Sequence, residues 1–364
     1  MSNTKPTIWD LEPHTEAKHK ILKEYINAWI PIMAKYHNRI IYIDAFAGPG
    51  IYSKRELGSP IIVIGSAIKH NTTNKFELIC LLIEKDIKRT NCLKMEIEKM
   101  HVPAYIKIDI ENGDSNAVLE SLLNKLDANA IKIAPMFVFV DPFNYDISFE
   151  LIKKLFNKNK CEIFISFMYS GIIRNIPNET EKQKLDRFFG TTDWRTALSL
   201  DCDKKRRFLH DLYASQLVNL GRDGNKEETL FRSFEMIDET NNTAYFLFYV
   251  TKNTLGLEKM KEAMWNVDKR GTFCFSDITD PNQTFLFSLD ETFKLEKLIE
   301  NEFRNRTISV TNIKDFVIKR TAFLPKHMRD VLERWERNGS SKIQVISGRK
   351  RRFTFPPSTI LKIM

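Results

Sequence analysis

The sequence predicts an α/β fold: an open parallel sheet crossed by helices, followed by a basic C-terminal module with a winged helix-turn-helix-like outline. Three observations carry this. Short apolar runs alternate with helical patterns five times before residue 170, the rhythm of βα units with right-handed crossovers. The first run ends in an acid and then a glycine turn, Ile40-Ile41-Tyr42-Ile43-Asp44-Ala45-Phe46-Ala47-Gly48-Pro49-Gly50. The charge is also uneven. Residues 290–364 hold 17 Lys+Arg against 9 Asp+Glu, so +8 of the chain's +9 lies there and the first 289 residues stand near +1. A basic module of this kind suits a polyanion, DNA or RNA. The expected division is 1–288 for the sheet domain, with a helical insertion at about 171–228, and 289–364 for the basic domain.

In chain order, residues 9–37 read as a helix, with Ile21, Leu22, Tyr25, Ile26 and Trp29 on one face and Pro31 ending or kinking it. His14 and Lys18 share a face near its start. After the first strand come a helix at Ile61–Ile68, a strand at Phe76–Glu84 and a helix at Ile87–Met100. A third strand, Ala104–Ile110, runs into Gly113-Asp114, and a helix follows at Ala117–Leu126. The fourth strand, Met136–Val140, ends in Asp141-Pro142-Phe143, and the fifth, Glu162–Phe167, in Met168-Tyr169-Ser170. The segment Thr180–Leu220 is helical and Gly221–Asn225 a loop. Leu230–Ile237 and Thr243–Thr251 form a hairpin, and a helix at Leu257–Trp265 precedes a returning loop, KRGTFCFSD.

The basic module reads as helices at Phe293–Phe303, from Thr311-Asn312, and from Leu324 to a stop at Asn338-Gly339. Lys342–Ile346 and Arg351–Phe355 then form a wing hairpin, with Phe353 and Phe355 pointing inward. Lys326 and Arg329 on the third helix and Arg349, Lys350, Arg351 and Arg352 at the wing tip are the expected phosphate contacts.

Composition excludes several classes. With 43% apolar and 28% charged residues the chain reads as an ordinary soluble protein. No apolar run approaches the roughly eighteen residues of a membrane span, and MSNTKPTIWD lacks a signal-peptide layout. The five cysteines are scattered without CxxC spacing, so reduced thiols, no metal centre and a cytoplasmic location are expected.

In an open α/β sheet, ligands bind at the carboxyl ends of the strands. Gly48 and Gly50 allow close backbone approach there, and Asp44, Glu84, Asp114 and Asp141 are the acids at strand ends. GxGxxG and GxxxxGK[ST] are both absent, and Asp44 would repel a pyrophosphate. S-adenosylmethionine carries an ammonium and a sulfonium instead, which suits an acid beside the turn. Glu84 is then expected at the ribose hydroxyls and Asp114 near the base.

These residues resemble a known family. FAGPG, an acid after the second strand and DPF after the fourth are similar to class I methyltransferases, whose sheet is Rossmann-like, and especially to adenine-directed enzymes with FxGxG and DPPY motifs. A closer likeness adds Trp9, Pro13-His14-Thr15, Lys18-His19, Gly58-Ser59-Pro60, Gly113-Asp114-x-Asn116 and Phe275-Ser276-Asp277. Together they look like the three-Cys-motif partner proteins (TcmP). The resemblance implies a methyltransferase-like fold and a partner with a three-cysteine, radical-enzyme-like motif. It also implies S-adenosylmethionine near Asp44, Phe46, Ala47, Gly48, Gly50, Glu84 and Asp114, with His14 and Lys18 beside it. Asp141, Pro142 and a stacking ring, Phe143 or Tyr145, would meet the acceptor base. The chain lacks the second proline of DPPY, which leaves the ring's register open. A non-catalytic nucleic-acid-binding adaptor is the alternative; a nuclease would need clustered metal-binding acids.

Overall fold

The computed structural model describes residues 6–70, 76–129, 133–221, 228–268, 272–277, 292–337, 339 and 342–364. The chain forms two compact units, Met1–Ala263 with Cys274–Thr279, and Met264–Phe273 with Asp280–Met364. The boundary expected at 288/289 lies outside the described residues, as do most of the Gly221–Asn225 loop, residues 269–271 of the KRGTFCFSD stretch and Asn338.

In the first unit, α1 (Pro13–Tyr36), β1 (Arg39–Asp44), α2 (Ser59–His70), β2 (Glu77–Glu84), α3 (Ile87–Glu98), β3 (Ile106–Asn112), α4 (Ser115–Ala128), β4 (Met136–Val140), α5 (Phe149–Phe156) and β5 (Cys161–Phe167) alternate. The helical insertion contains α6 (Tyr169–Asn175), α7 (Lys182–Phe189) and α8 (Cys202–Asn219). It leads to β6 (Leu230–Ile237), β7 (Thr243–Thr251), α9 (Thr254–Val267, of which residues 264–267 belong to the second unit) and β8 (Cys274–Ser276). Among the described residues the sheet has eight strands in the order β3-β2-β1-β4-β5-β7-β6-β8. Only β7 runs against its neighbours, β5 and β6. The order reverses at β1, which pairs with β2 on one side and β4 on the other. This is the Rossmann-like, methyltransferase-type sheet expected from the sequence, and its ligand-binding crevice lies at that reversal.

Three details differ from the sequence reading. α1 continues through Pro31 to Tyr36. The sequence reading gives no helix between β4 and β5, yet α5 forms there: Ser148 caps it by accepting from the Leu151 amide at 3.3 Å, and Leu151, Ile152, Leu155 and Phe156 are buried. The returning loop contains a strand, β8, which extends the sheet parallel to β6.

Beneath the sheet, the hydroxyls of Tyr25 in α1 and Tyr249 in β7 both donate to Glu162 of β5, the latter at 3.0 Å. Thr251 adds a third donor at 3.4 Å. Burial raises the Glu162 carboxyl above its ordinary range. The network ties α1 across β5 and β7 at a polar point inside an apolar layer.

The second unit contains α10 (Thr292–Phe303), β9 (Thr307–Ser309), α11 (Val310–Arg320), α12 (Pro325–Arg337), β10 (Ile343–Ser347) and β11 (Ile360–Ile363). Its sheet is antiparallel in the order β10-β11-β9, and Leu295, Ile299, Val317, Leu332, Trp335 and Ile363 fill its core. The three helices agree with the winged-helix outline. The wing does not return at Arg351–Phe355; it returns at β11. Phe353 adopts φ +57 and lies under the Arg337 guanidinium at 4.4 Å, outside the core, while Phe355 packs against the core half-buried.

Candidate active site and basic face

The glycine turn is held between its neighbours. Ala45 N–H donates to Phe139 of β4 at 2.9 Å and Ala47 N–H to Ile83 of β2 at 2.8 Å. Gly48 takes φ +64, and a β-carbon there would meet nothing within 4 Å, so one side of its backbone is open. Gly50 takes φ +83, and a β-carbon would press Leu93 at 2.9 Å. Phe46 is half-buried and Ala47 buried. Glu84 secures the turn by accepting from Gly48 N–H at 3.0 Å, while its other oxygen accepts from Asp86 N–H at 2.8 Å.

Asp44 does not face the crevice. It is 0% exposed and accepts from Ser59 Oγ at 2.6 Å, the Tyr42 hydroxyl at 2.9 Å and Phe46 N–H at 3.3 Å. It braces the turn from beneath, where the sequence reading expects it beside the ligand. Burial raises its pKa from 3.8 to about 6, against the opposing hydrogen bonds. The folded chain therefore keeps a proton that the unfolded chain releases near pH 4. The resulting stabilisation is full below that pH and is lost as pH passes about 6, a change on the order of 3 kcal/mol. Asp44→Asn should flatten the fall in stability between pH 4 and 6, as read by urea denaturation at each pH. Parallel curves for the two proteins would refute the assignment.

The Gly113-Asp114-x-Asn116 motif laces the strand-end loops together. Asp114 caps α4, accepting from the Asn116 and Ala117 amides, and meets Lys85 Nζ at 3.2 Å; its side chain is 42% exposed. Ser115 Oγ donates to Ala45 O, and Asn116 bridges the Asp146 carbonyl at 2.8 Å and the Ser148 amide at 2.9 Å.

At the end of β4, Lys18 Nζ meets Asp141 Oδ2 at 2.5 Å, with the two side chains 5% and 20% exposed. Lys18 thus belongs to Asp141, and it lies 5.1 Å from the Tyr245 ring. His14, one turn earlier, pairs with Asp277 Oδ2 at 2.8 Å and Glu12 at 2.9 Å. His14 and Lys18, expected beside the cofactor, are each paired with an acid at the carboxyl edge of the sheet, Asp277 and Asp141. Pro142 is buried. Phe143 is 44% exposed, with Trp9 at 5.4 Å and the Arg89 guanidinium 5.0 Å from its ring. Tyr145 is 1% exposed, packs on Phe188 and donates to Glu181 at 2.7 Å, so it is a core residue and not a stacking ring.

Sequence reasoning missed Tyr52, Arg89 and Tyr245 as neighbours of this site and quoted Trp9 only as part of a motif. His19, quoted only as part of a motif, is buried with Nδ1 unpartnered, and burial, then Lys18, lowers its pKa to about 3. Asp277 Oδ1 is likewise buried and unpartnered. An open turn, an acid at the next strand end and unsatisfied polar atoms fit a polar, nucleoside-bearing ligand.

In the second unit, Lys326 and Arg329 are exposed on α12, and Lys350, Arg351 and Arg352 are exposed on the wing. Arg349 is not free. Its guanidinium grips both oxygens of Glu336, one contact at 2.5 Å, with the Arg349 side chain 12% exposed. Glu336 also accepts from Phe353 N–H at 2.9 Å, so this acid folds the wing onto α12.

Residues 275–347 match the family described as GMT-like wHTH domain. No curated protein matches the chain. Among solved structures, the O-methyltransferase from Bacillus cereus in complex with SAH is 15% identical, covering 66% of this chain and 82% of its own, at TM-score 0.35. The SAM-dependent methyltransferase from Methanosarcina mazei is 12% identical, covering 66% and 97%, at TM-score 0.27. TrmK from M. capricolum with its cofactor product S-adenosylhomocysteine is 12% identical, covering 85% and 93%, at TM-score 0.25.

Proposed function

We propose that this chain is an S-adenosylmethionine-dependent methyltransferase that acts on nucleic acid at an exocyclic amine such as adenine N6, working with a three-Cys-motif partner. The observation that carries the proposal is the edge where the sheet order reverses. There Gly48 offers an open backbone, Glu84 stands on the next strand and Asp141 ends the strand on the other side. The cofactor supplies an activated methyl group on a sulfonium, so the chain's task is alignment. Glu84, already holding the turn, accepts ribose hydroxyls with its remaining lone pairs, and Asp114 borders the base. Asp141 accepts an amine hydrogen with Oδ1, while Lys18 on Oδ2 fixes the carboxylate's orientation. Phe143 offers the exposed ring for stacking. The winged-helix module supplies the phosphate-binding face.

Calorimetry should find S-adenosylmethionine binding to the wild type. Glu84→Ala should weaken it by about 1.5–3 kcal/mol, the value of charge-assisted hydrogen bonds. Absence of wild-type binding would end this reading. Mass spectrometry of nucleosides from cells with and without the protein then identifies the methylated base. The pairing of Asp141 with Lys18 favours a second reading, an adaptor that binds cofactor without transferring the methyl group. Cofactor binding with unchanged nucleosides would select it.

A further inference from the structure

Arg89, in the first turn of α3, is 7% exposed. A guanidinium keeps its positive charge in a protein, so a buried one needs donors satisfied and a counter-ion close by. Arg89 has little of either. Its Nε is buried without a partner, and Nη2 donates to the Pro6 carbonyl at 3.4 Å. Among the described residues no carboxylate pairs with the guanidinium; Asp86 accepts only the Arg89 backbone amide, at 3.1 Å. The acids at the strand ends are engaged elsewhere: Glu84 by the Gly48 and Asp86 amides, Asp114 by Lys85 and Asp141 by Lys18.

What the guanidinium does touch is aromatic. It lies 4.8 Å from the Trp9 ring and 5.0 Å from the Phe143 ring, and those rings are 5.4 Å apart. Two aromatic faces offset part of the cost of burying a cation, but they leave its N–H groups unmatched. β2 and β4 flank β1, so Arg89 after β2 and Phe143 after β4 meet across the end of β1, where the glycine turn begins. The planar donor fork of arginine fits a phosphate group. We propose that Arg89 binds a phosphate of the acceptor strand, next to the base that stacks on Phe143. A nucleotide joins base and phosphate through one sugar, so a base on Phe143 brings its own phosphate to this corner. The inference rests on the reading of Phe143 as the stacking ring, and it adds a phosphate contact within the first unit, separate from the basic face of the second.

Calorimetry on the full chain, saturated with S-adenosylhomocysteine, tests it by comparing each nucleoside with its bisphosphate, phosphorylated at both strand-linking hydroxyls. For the base that the site takes, the bisphosphate should bind at least roughly tenfold more tightly, the effect of charge-assisted hydrogen bonds. Arg89→Met, which keeps an apolar stem against Trp9, should erase that advantage, and Arg89→Lys should restore part of it. The proposal is overturned if no bisphosphate outperforms its nucleoside, or if the advantage survives in Arg89→Met and so belongs to cations elsewhere. Loss of S-adenosylhomocysteine affinity in Arg89→Met, restored in Arg89→Lys, would also overturn it, by giving Arg89 to the carboxylate of the methyl donor. The methyltransferase reading is judged separately, by whether S-adenosylhomocysteine binds the wild type; the difference between bisphosphate and nucleoside reads Arg89 in either case.

Discussion

Replacing Lys18 with methionine is expected to lower the unfolding free energy of the first unit by about 3 kcal/mol. The Asp141 carboxylate would keep its desolvation cost and lose its counter-ion. The lower end of the usual 3–5 kcal/mol range applies because the Asp141 side chain is 20% exposed and keeps some water. Lys18→Met/Asp141→Leu should recover most of the loss, since neither charge is then stranded. Denaturant titration of the wild type, both single variants and the double variant closes the cycle. A single-variant loss below about 0.5 kcal/mol would mean that the pair behaves as a solvated surface contact. On the proposed reading, in which Asp141 meets the acceptor amine and Lys18 orients it, methyl transfer should fall far more than cofactor affinity in Lys18→Met.

On nucleic acid, Lys350→Ala/Arg351→Ala/Arg352→Ala should reduce the salt dependence of log K by roughly two to three units if all three touch phosphate. The unit should remain folded, because all three side chains are exposed. Arg349→Ala should behave differently. It removes a two-pronged contact to Glu336 and should cost about 1–2 kcal/mol of stability in the second unit. Fluorescence titrations on duplex and single strands across salt, beside thermal melts, separate these effects. Superimposable wild-type and triple-variant curves would remove the wing from the nucleic-acid interface.

Much of the fold was legible because strand ends are marked chemically. Apolar runs that break at Asp44, Glu84 and Asp141 revealed β1, β2 and β4, and the Glu239–Asn242 turn revealed the β6–β7 hairpin. The misses have local causes. Arg351–Phe355 alternates like a strand, but Glu336 captures Arg349 and the Phe353 amide, bending the segment onto α12. Tyr145 lies two residues from Phe143, yet it is pulled inward by Phe188 and Glu181. No local pattern distinguishes these two aromatic residues. Asp44 reads as an accessible acid because the donor nearest to its carboxylate, Ser59 at 2.6 Å, lies 15 residues downstream. Pairings such as Lys18 with Asp141, 123 residues apart, lie beyond any periodicity.

The long reach of α1 also bears on how the protein is made. Its charged end waits for Asp277, 263 residues later, and its Tyr25 for Tyr249, 224 residues later. At 5–20 residues per second, a ribosome takes roughly 13–50 s to synthesise the interval from His14 to Asp277. Lys18 waits 123 residues for Asp141 and Tyr25 waits 224 for Tyr249, while His14 waits out the whole interval. Such dependence on contacts remote in sequence slows folding, because loop closure has to precede the contacts that reward it.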